Sequence, residues 1–327
     1  MKSFGIAIAV TAIICILILL ITYICFYIVF YVPRRKPSPK EEYPIPPGKI
    51  YEPFRDIMIG WIKEARSMTH EKVSIVSFDG LTLYGKYYEY APGAPIELML
   101  HGYRGDAERD LCGGVQRCFA CGRSALIVDQ RACGSSEGNI ITFGIREYRD
   151  CLSWIDFMLA HFGSDVKIIL TGISMGASTV MIAAGRTLPP NVIGALADCG
   201  FTSAPDIIKK VIRQLHIPVG LLYPFIKLSA KLFAHIDLEE VSPIEAVKKC
   251  TVPLIFFHGE SDDYVPCEMS RLNYEACTAP KRLVTVPGAG HGLSYPVDPE
   301  GYSSALKEFF EPEAGTPSNT VDFLMNS

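Results

Sequence analysis

The sequence predicts an α/β fold: a mostly parallel sheet flanked by helices. Three observations carry that reading. Val166 with Ile168-Ile169-Leu170, and later Leu254–His258, are short apolar runs of the kind that strands buried on both faces require. Helical stretches alternate with such runs, the longest being Phe143–Phe162, in which Ile145, Tyr148, Leu152, Ile155 and Leu159 form one stripe. Between one run and the next helix stands Gly172-Ile173-Ser174-Met175-Gly176, whose small end residues let the backbone turn sharply and leave Ser174 at the apex.

In chain order, Phe4–Val32 comes first, an apolar run without charge that exceeds the roughly 20 residues of a bilayer-spanning helix. Tyr23, Tyr27 and Tyr31 lie in its C-terminal part, where interfacial aromatics collect. A cleaved signal peptide is the rival reading, but its apolar region is only about 7–15 residues long, and no A-x-A-like site follows here. Lys2 precedes the run, whereas Arg34, Arg35, Lys36 and Lys40 follow it, which favours a cytoplasmic C-terminal side. Of 11 cysteines, the nine beyond the run form no recognisable disulfide framework, which agrees with a reducing compartment. Pro33–Gly48 is rich in proline among charges and reads as a spacer that holds the domain off the membrane. From Tyr51 to Met68, apolar residues recur at helical spacing, and the helix packs either on the domain, the favoured reading because only Arg55, Lys63 and Arg66 would supply a basic face, or on lipid.

Val73–Phe78 and Leu81–Tyr90 around Asp79-Gly80 predict a hairpin. Ile96–Leu100 is the first buried strand and ends in His101-Gly102-Tyr103-Arg104-Gly105. Asp110–Gly122 reads as a helix, Ala125–Asp129 as a strand and Gln130–Gly138 as its loop. After the Ser174 turn and its helix, Val192–Ala197 is a strand closed by Asp198. Ile207–Phe233 then breaks the alternation with an apolar stretch interrupted by Pro218 and Pro224. Leu283–Val286 is a further strand, Ser303–Phe310 the last helix, and Glu311–Ser327 a polar tail without expected structure.

A serine hydroxyl needs a base to act as a nucleophile, and that base needs an orienting acid. The loop His258-Gly259-Glu260-Ser261-Asp262-Asp263-Tyr264-Val265-Pro266 offers Asp262, and Gly288-Ala289-Gly290-His291-Gly292 offers His291. The order Ser174, Asp262, His291 resembles that of the α/β-hydrolases, and the resemblance runs from about Lys72 to about Phe310. It implies an α/β-hydrolase fold with a small helical cap at about 205–236, between the sixth and seventh strands. It also implies a Ser174–His291–Asp262 triad and an oxyanion hole of the Tyr103 and Met175 backbone amides. In the H-G-x-x-D-x-x-V-P pattern that the loop resembles, the acid is Asp262 rather than Asp263; Asp198 is the next candidate. Gln130–Gly138 resembles a loop frequent in the superfamily, with Asp129, Arg131, Gly134 and Ser136 in matching sorts of position though not in strict register, and reads as an Arg/Asp brace near the site.

GISMG, HGESDDYVP and GAGHG most resemble a membrane-anchored single-domain branch related to prolyl-oligopeptidases and serine aminopeptidases. The expectation is a serine hydrolase of the carboxylesterase type that cleaves ester or thioester bonds. A serine peptidase is the runner-up, and a non-catalytic binding module on the same scaffold the third reading. The expected organisation is a transmembrane anchor at 1–32, a linker at 33–48, a hydrolase domain at 49–311 and a tail at 312–327. A net charge of −4 with no basic cluster offers nucleic acid no surface. Cys118 and Cys121 have C-x-x-C spacing, but nothing in the chain completes a ligand set, so neither metal nor cofactor is expected. The implied substrate is a small ester, thioester or peptide.

Overall fold

The computed structural model describes residues 2–33, 42–311 and 321–323. Arg34, Arg35, Lys36 and Lys40 of the charge bias, and half of the Pro-rich segment, lie outside the described residues. The chain runs α1 (Lys2–Val29), a 3-10 turn (Lys49–Phe54), α2 (Arg55–Ser67), β1 (Glu71–Val76), β2 (Thr82–Tyr88) and β3 (Ile96–Leu100). It continues through α3 (Ala107–Asp110), α4 (Gly114–Ala120), β4 (Ser124–Val128), α5 (Glu147–Phe162), β5 (Ile168–Ile173), α6 (Met175–Ala184) and β6 (Val192–Asp198). The cap follows as α7 (Ala204–Gln214), α8 (Val219–Ser229) and one π-helical turn (Ala230–Ala234). The remaining elements are α9 (Pro243–Val247), β7 (Leu254–Gly259), α10 (Cys267–Ala276), β8 (Lys281–Val286), α11 (Ser294–Val297), α12 (Pro299–Phe310) and β9 (Val321–Phe323).

The strands form one sheet in the order β1-β2-β4-β3-β5-β6-β7-β8-β9. β1 and β2 are antiparallel, as the Asp79-Gly80 hairpin predicts, and every pairing from β4 to β9 is parallel. Leu98, Leu126, Leu170 and Phe256 are completely buried in the central strands, each contributing about 1.5–3 kcal/mol of apolar transfer. Glu97 sits among them in β3. Arg117 Nη2 and Arg123 Nη1 donate to its two oxygens at 2.7 and 2.8 Å. Burial alone would raise its pKa, but the two guanidinium groups outweigh burial and bring it down to about 2.

Four expectations change. α5 starts at Glu147 rather than Phe143, because the Glu147 carboxylate accepts the Thr142 and Gly144 amides at 2.7 and 2.9 Å and holds that stretch as a loop. The helix expected over 110–122 is reduced to α4, since Gly113 has φ 83° and a Cβ there would meet the Trp61 ring at 2.7 Å. Val321–Phe323 of the tail pairs with β8 as an edge strand. The last turns of α1 are not held away from the domain: Cys25, Phe26 and Phe30 are buried. There the Ile141 amide donates to Phe30 O and the Val32 amide to Asn139 O, at 2.9 and 2.8 Å. α2 packs on the domain through Met58 and Ile62, as its periodicity predicts.

Candidate active site

The turn between β5 and α6 places Ser174 at φ 56°, ψ −117°, a conformation that L-residues rarely adopt and that the close crossing enforces. A Cβ on Gly176 would overlap the Leu100 carbonyl group, and one on Gly172 would overlap the Gly176 backbone. The backbone Ser174 amide donates to Asp198 O at 2.8 Å, which straps the turn to the end of β6.

His291, in the loop after β8, reaches this apex. Its Nε2 lies 3.0 Å from Ser174 Oγ and its Nδ1 lies 2.7 Å from Asp262 Oδ2. Nδ1 therefore donates to the carboxylate, leaving Nε2 to accept the serine proton. Asp262 is set by the loop after β7. Its other oxygen, Oδ1, accepts the Tyr264 and Val265 amides, both at 2.8 Å. Burial would raise the Asp262 pKa, but hydrogen bonds from His258 and His291 outweigh it and hold the carboxylate well below its ordinary range. Asp263 is exposed and offers only its backbone carbonyl to Lys210 and Gln214 of α7.

The HG loop after β3 closes the other side. A Cβ on Gly102 would lie 3.5 Å from Ser174 Cβ, so the loop backbone runs directly beside the serine, and Tyr103 follows in its turn. Met175 is the first residue of α6, where a helix leaves its amides unpaired.

The model of the alpha/beta hydrolase family matches residues 98–305, well over half of the chain. This protein belongs to the alpha/beta hydrolase family. An uncharacterised Bacillus subtilis protein, YqkD, is 28% identical over 191 residues, 58% of this chain and 63% of the Bacillus one. The chain thus spans somewhat less than two thirds of that relative. The esterase Pf2001 of Pyrococcus furiosus superposes with a TM-score of 0.64 at 22% identity, covering 83% of this chain and 97% of the esterase. The acylaminoacyl peptidase of Pyrococcus horikoshii superposes with a TM-score of 0.56 at 17% identity, covering 78% of this chain and 44% of the peptidase. These two likenesses show the fold.

Two buried histidines support the site without touching the serine. His258 Nδ1 accepts from Ser270 Oγ at 2.7 Å, and its Nε2 donates to Val265 O at 2.8 Å while standing 3.3 Å from Asp262 Oδ2. It thereby ties both ends of the acid loop to β7. His101 Nε2 accepts the Gln130 amide at 2.9 Å, and Gln130 Nε2 donates to His101 O. That pins the HG loop to the loop after β4. His258 was legible as the first residue of the H-G-x-x-D pattern, but its bonds to Ser270 and Val265 were not. Arg131 is an Arg/Asp brace, pairing with Asp150 at 2.6 Å and Asp79 at 2.9 Å. Asp129 instead accepts the Ala107 and Ser135 amides.

A cavity of about 550 Å³ opens beside Ser174 and His291. Ile50, Tyr51, Met58, Met99, Leu111 and Leu196 give it apolar walls. Tyr51 also donates its hydroxyl to His291 O at 2.9 Å, tying the segment before α2 to the histidine loop. Cys199 lies near Asp262 and His291, and the three ligand atoms stand within 4.8 Å of one another. Burial pushes the Cys199 thiol well above its ordinary pKa, and the other two ligand atoms are already hydrogen-bonded to each other.

Proposed function

We propose that this family member is a membrane-anchored serine hydrolase that cleaves carboxylic ester or thioester bonds through an acyl-enzyme. The carrying observation is the chain of contacts from Ser174 Oγ to His291 Nε2 at 3.0 Å and from His291 Nδ1 to Asp262 Oδ2 at 2.7 Å. Ser174 Oγ attacks the carbonyl carbon while its proton passes to His291 Nε2. The Tyr103 and Met175 amides hold the tetrahedral oxyanion, each such donor being worth about 3 kcal/mol in related sites. Collapse breaks the bond to the alcohol or thiol, which leaves with the proton from His291. Water repeats the sequence on the acyl-enzyme and restores Ser174. Asp262 orients the imidazole and stabilises its cation.

The apolar cavity walls favour an acyl substrate over a peptide, which must place its amide groups against hydrogen-bonding partners. The peptidase reading rests on the motif resemblance to the prolyl-oligopeptidase and serine-aminopeptidase branches and on the likeness to the acylaminoacyl peptidase. α1 supports the anchor: its apolar stretch Ile6–Val29 is long enough to cross a bilayer. The charge bias of the sequence argues for a cytoplasmic domain. A fluorophosphonate reagent should label the wild type and leave Ser174→Ala unlabelled. That variant should lose about 10⁶-fold in kcat, as serine removal does in related triads, with an unchanged melting curve. A folded Ser174→Ala that keeps substantial activity refutes the mechanism.

A further inference from the structure

α1 does two things along its length. From Phe4 to Ile21 its apolar side chains are exposed, and at 1.5 Å per residue this stretch covers about 27 Å, close to the roughly 30 Å hydrocarbon core of a bilayer. From Thr22 onward one face is buried by the domain. The π-helical turn of the cap supplies Phe233, which meets Tyr23 edge-on at 5.4 Å and Phe26 at 5.5 Å. The opposite face remains apolar and exposed at Ile24, Tyr27 and Ile28.

The end of α1 is held by the loop that borders Ser174. The Tyr103 hydroxyl donates to Val29 O at 2.7 Å, and Arg104 Nη2 donates to Ile28 O and Tyr31 O at 2.8 and 2.9 Å. The Tyr103 ring stacks on Phe143, which in turn meets Phe30 edge-on. Tyr103 and Arg104 also line the cavity. One pair of residues therefore joins the last turn of the helix to the mouth of the site.

This geometry sets the height of the site above a bilayer. If the hydrocarbon ends at Tyr23, the level of Val29 lies about 9 Å beyond it; if it ends at Tyr31, the level of Val29 lies at the boundary. The headgroup layer is itself about 5–7 Å thick. With the boundary at Tyr31, the loop held by Val29 lies level with the layer in which the ester groups of membrane lipids lie; with it at Tyr23, that loop lies about 2–4 Å beyond the headgroups. The cap continues the apolar surface, with Leu221, Leu228 and Leu232 exposed at spacings of seven and four residues.

Building on the hydrolase reading, we propose that the substrate is a membrane-resident acyl ester, a lipid with a long acyl chain drawn from the leaflet in which α1 ends. The leucines of α8 and the π-helical turn rest in that leaflet, and the acyl chain enters the apolar cavity. A lipid in the same bilayer is then confined to the layer the site faces, which raises its effective concentration without any further contact.

The test uses the full-length chain in phosphatidylcholine vesicles with a fluorogenic long-chain acyl ester lipid. At equal total amounts, ester in the same vesicles should turn over at least about tenfold faster than ester carried by separate vesicles. Leu228→Asp/Leu232→Asp should slow the lipid reaction by about tenfold or more, because two leucines no longer enter the leaflet. Hydrolysis of water-soluble p-nitrophenyl butyrate should stay within about twofold, and the rate of fluorophosphonate labelling should report that the variant is folded. Equal rates from the two vesicle arrangements overturn the proposal, as does a variant that slows lipid and soluble ester alike while labelling normally. Labelling and soluble-ester turnover without lipid turnover overturn it alone. Absence of labelling and of all turnover in wild type overturns the hydrolase reading with it.

Discussion

Asp198 and Asp262 stand at neighbouring strand ends, one closing β6 and the other in the loop beyond β7, and both are almost fully buried. Their partners differ in kind. Asp262 faces the imidazoles of His291 and His258, which favour its charged form strongly enough to overcome burial. Asp198 is hydrogen-bonded only by two hydroxyls, Ser294 Oγ at 3.0 Å and Tyr302 Oη at 3.1 Å; His258 and His291 act on it through space alone, and there burial prevails and raises its pKa. Burial thus sets the cost of charge at both positions, and the neighbour decides whether the charge is kept. Of the two, Asp262 is the one that suits the proposed support of an imidazolium.

The largest expected effect comes from removing that charge. Asp262→Asn should lower kcat by about 10⁴-fold, since the amide can no longer hold the Nδ1–H tautomer or offset the cation. Steady-state kinetics beside Asp198→Asn at equal folded concentration tests the contrast. Asp198→Asn should cost less than about tenfold, or 1.4 kcal/mol of barrier, and a reversal of the two would move the orienting role to β6.

Stability should separate the pair with opposite sign. The depressed pKa of Asp262 means that its contribution is present above its unfolded value of about 3.9 and is lost as pH falls through the folded value. The raised pKa of Asp198 works the other way: stability declines as pH rises from about 3.9 through the folded value. Melting curves at pH 5 and pH 8 should therefore show Asp262→Asn below wild type at both. Asp198→Asn should gain relative to wild type on going from pH 5 to pH 8. A gain for Asp262→Asn over the same interval would contradict the assigned charge states.

The smallest effect belongs to Asp263. Its side chain is exposed and only its carbonyl is engaged, so Asp263→Asn should change kcat by no more than about twofold. A loss comparable with that of Asp262→Asn would shift the acid by one residue.

Ser174, Asp262 and His291 were legible because each lies in a short motif whose local shape is set by nearby glycines and by a preceding strand. What lies between distant segments was not. Glu97 reads as a flaw in an apolar strand, since Arg117 and Arg123 stand 20 and 26 residues away and nothing local announces them. The start of α5 was misplaced because Glu147 folds back on two amides, a tertiary choice that overrides helical periodicity. The docking of α1 depends on Tyr103 and Arg104, more than 70 residues further on, so hydropathy could propose a spanning helix but not where its end would rest. The edge strand Val321–Phe323 sits in a polar tail, and three residues are too few for an alternating pattern to register.

The order in which the site residues leave the ribosome has a consequence for the cell that makes this chain. Ser174 and His291 are 117 residues apart, so at about 5–20 residues per second the proposed nucleophile exists for about 6–23 s before its proposed base has been synthesised. His291 lies beyond β8, and β8 must join β7 before the imidazole can reach the serine. A nascent or truncated chain that ends before this strand carries a complete Ser174 turn with no group to take its proton. On the proposed mechanism, chemical competence is therefore withheld until His291 has been made and β8 has joined the sheet.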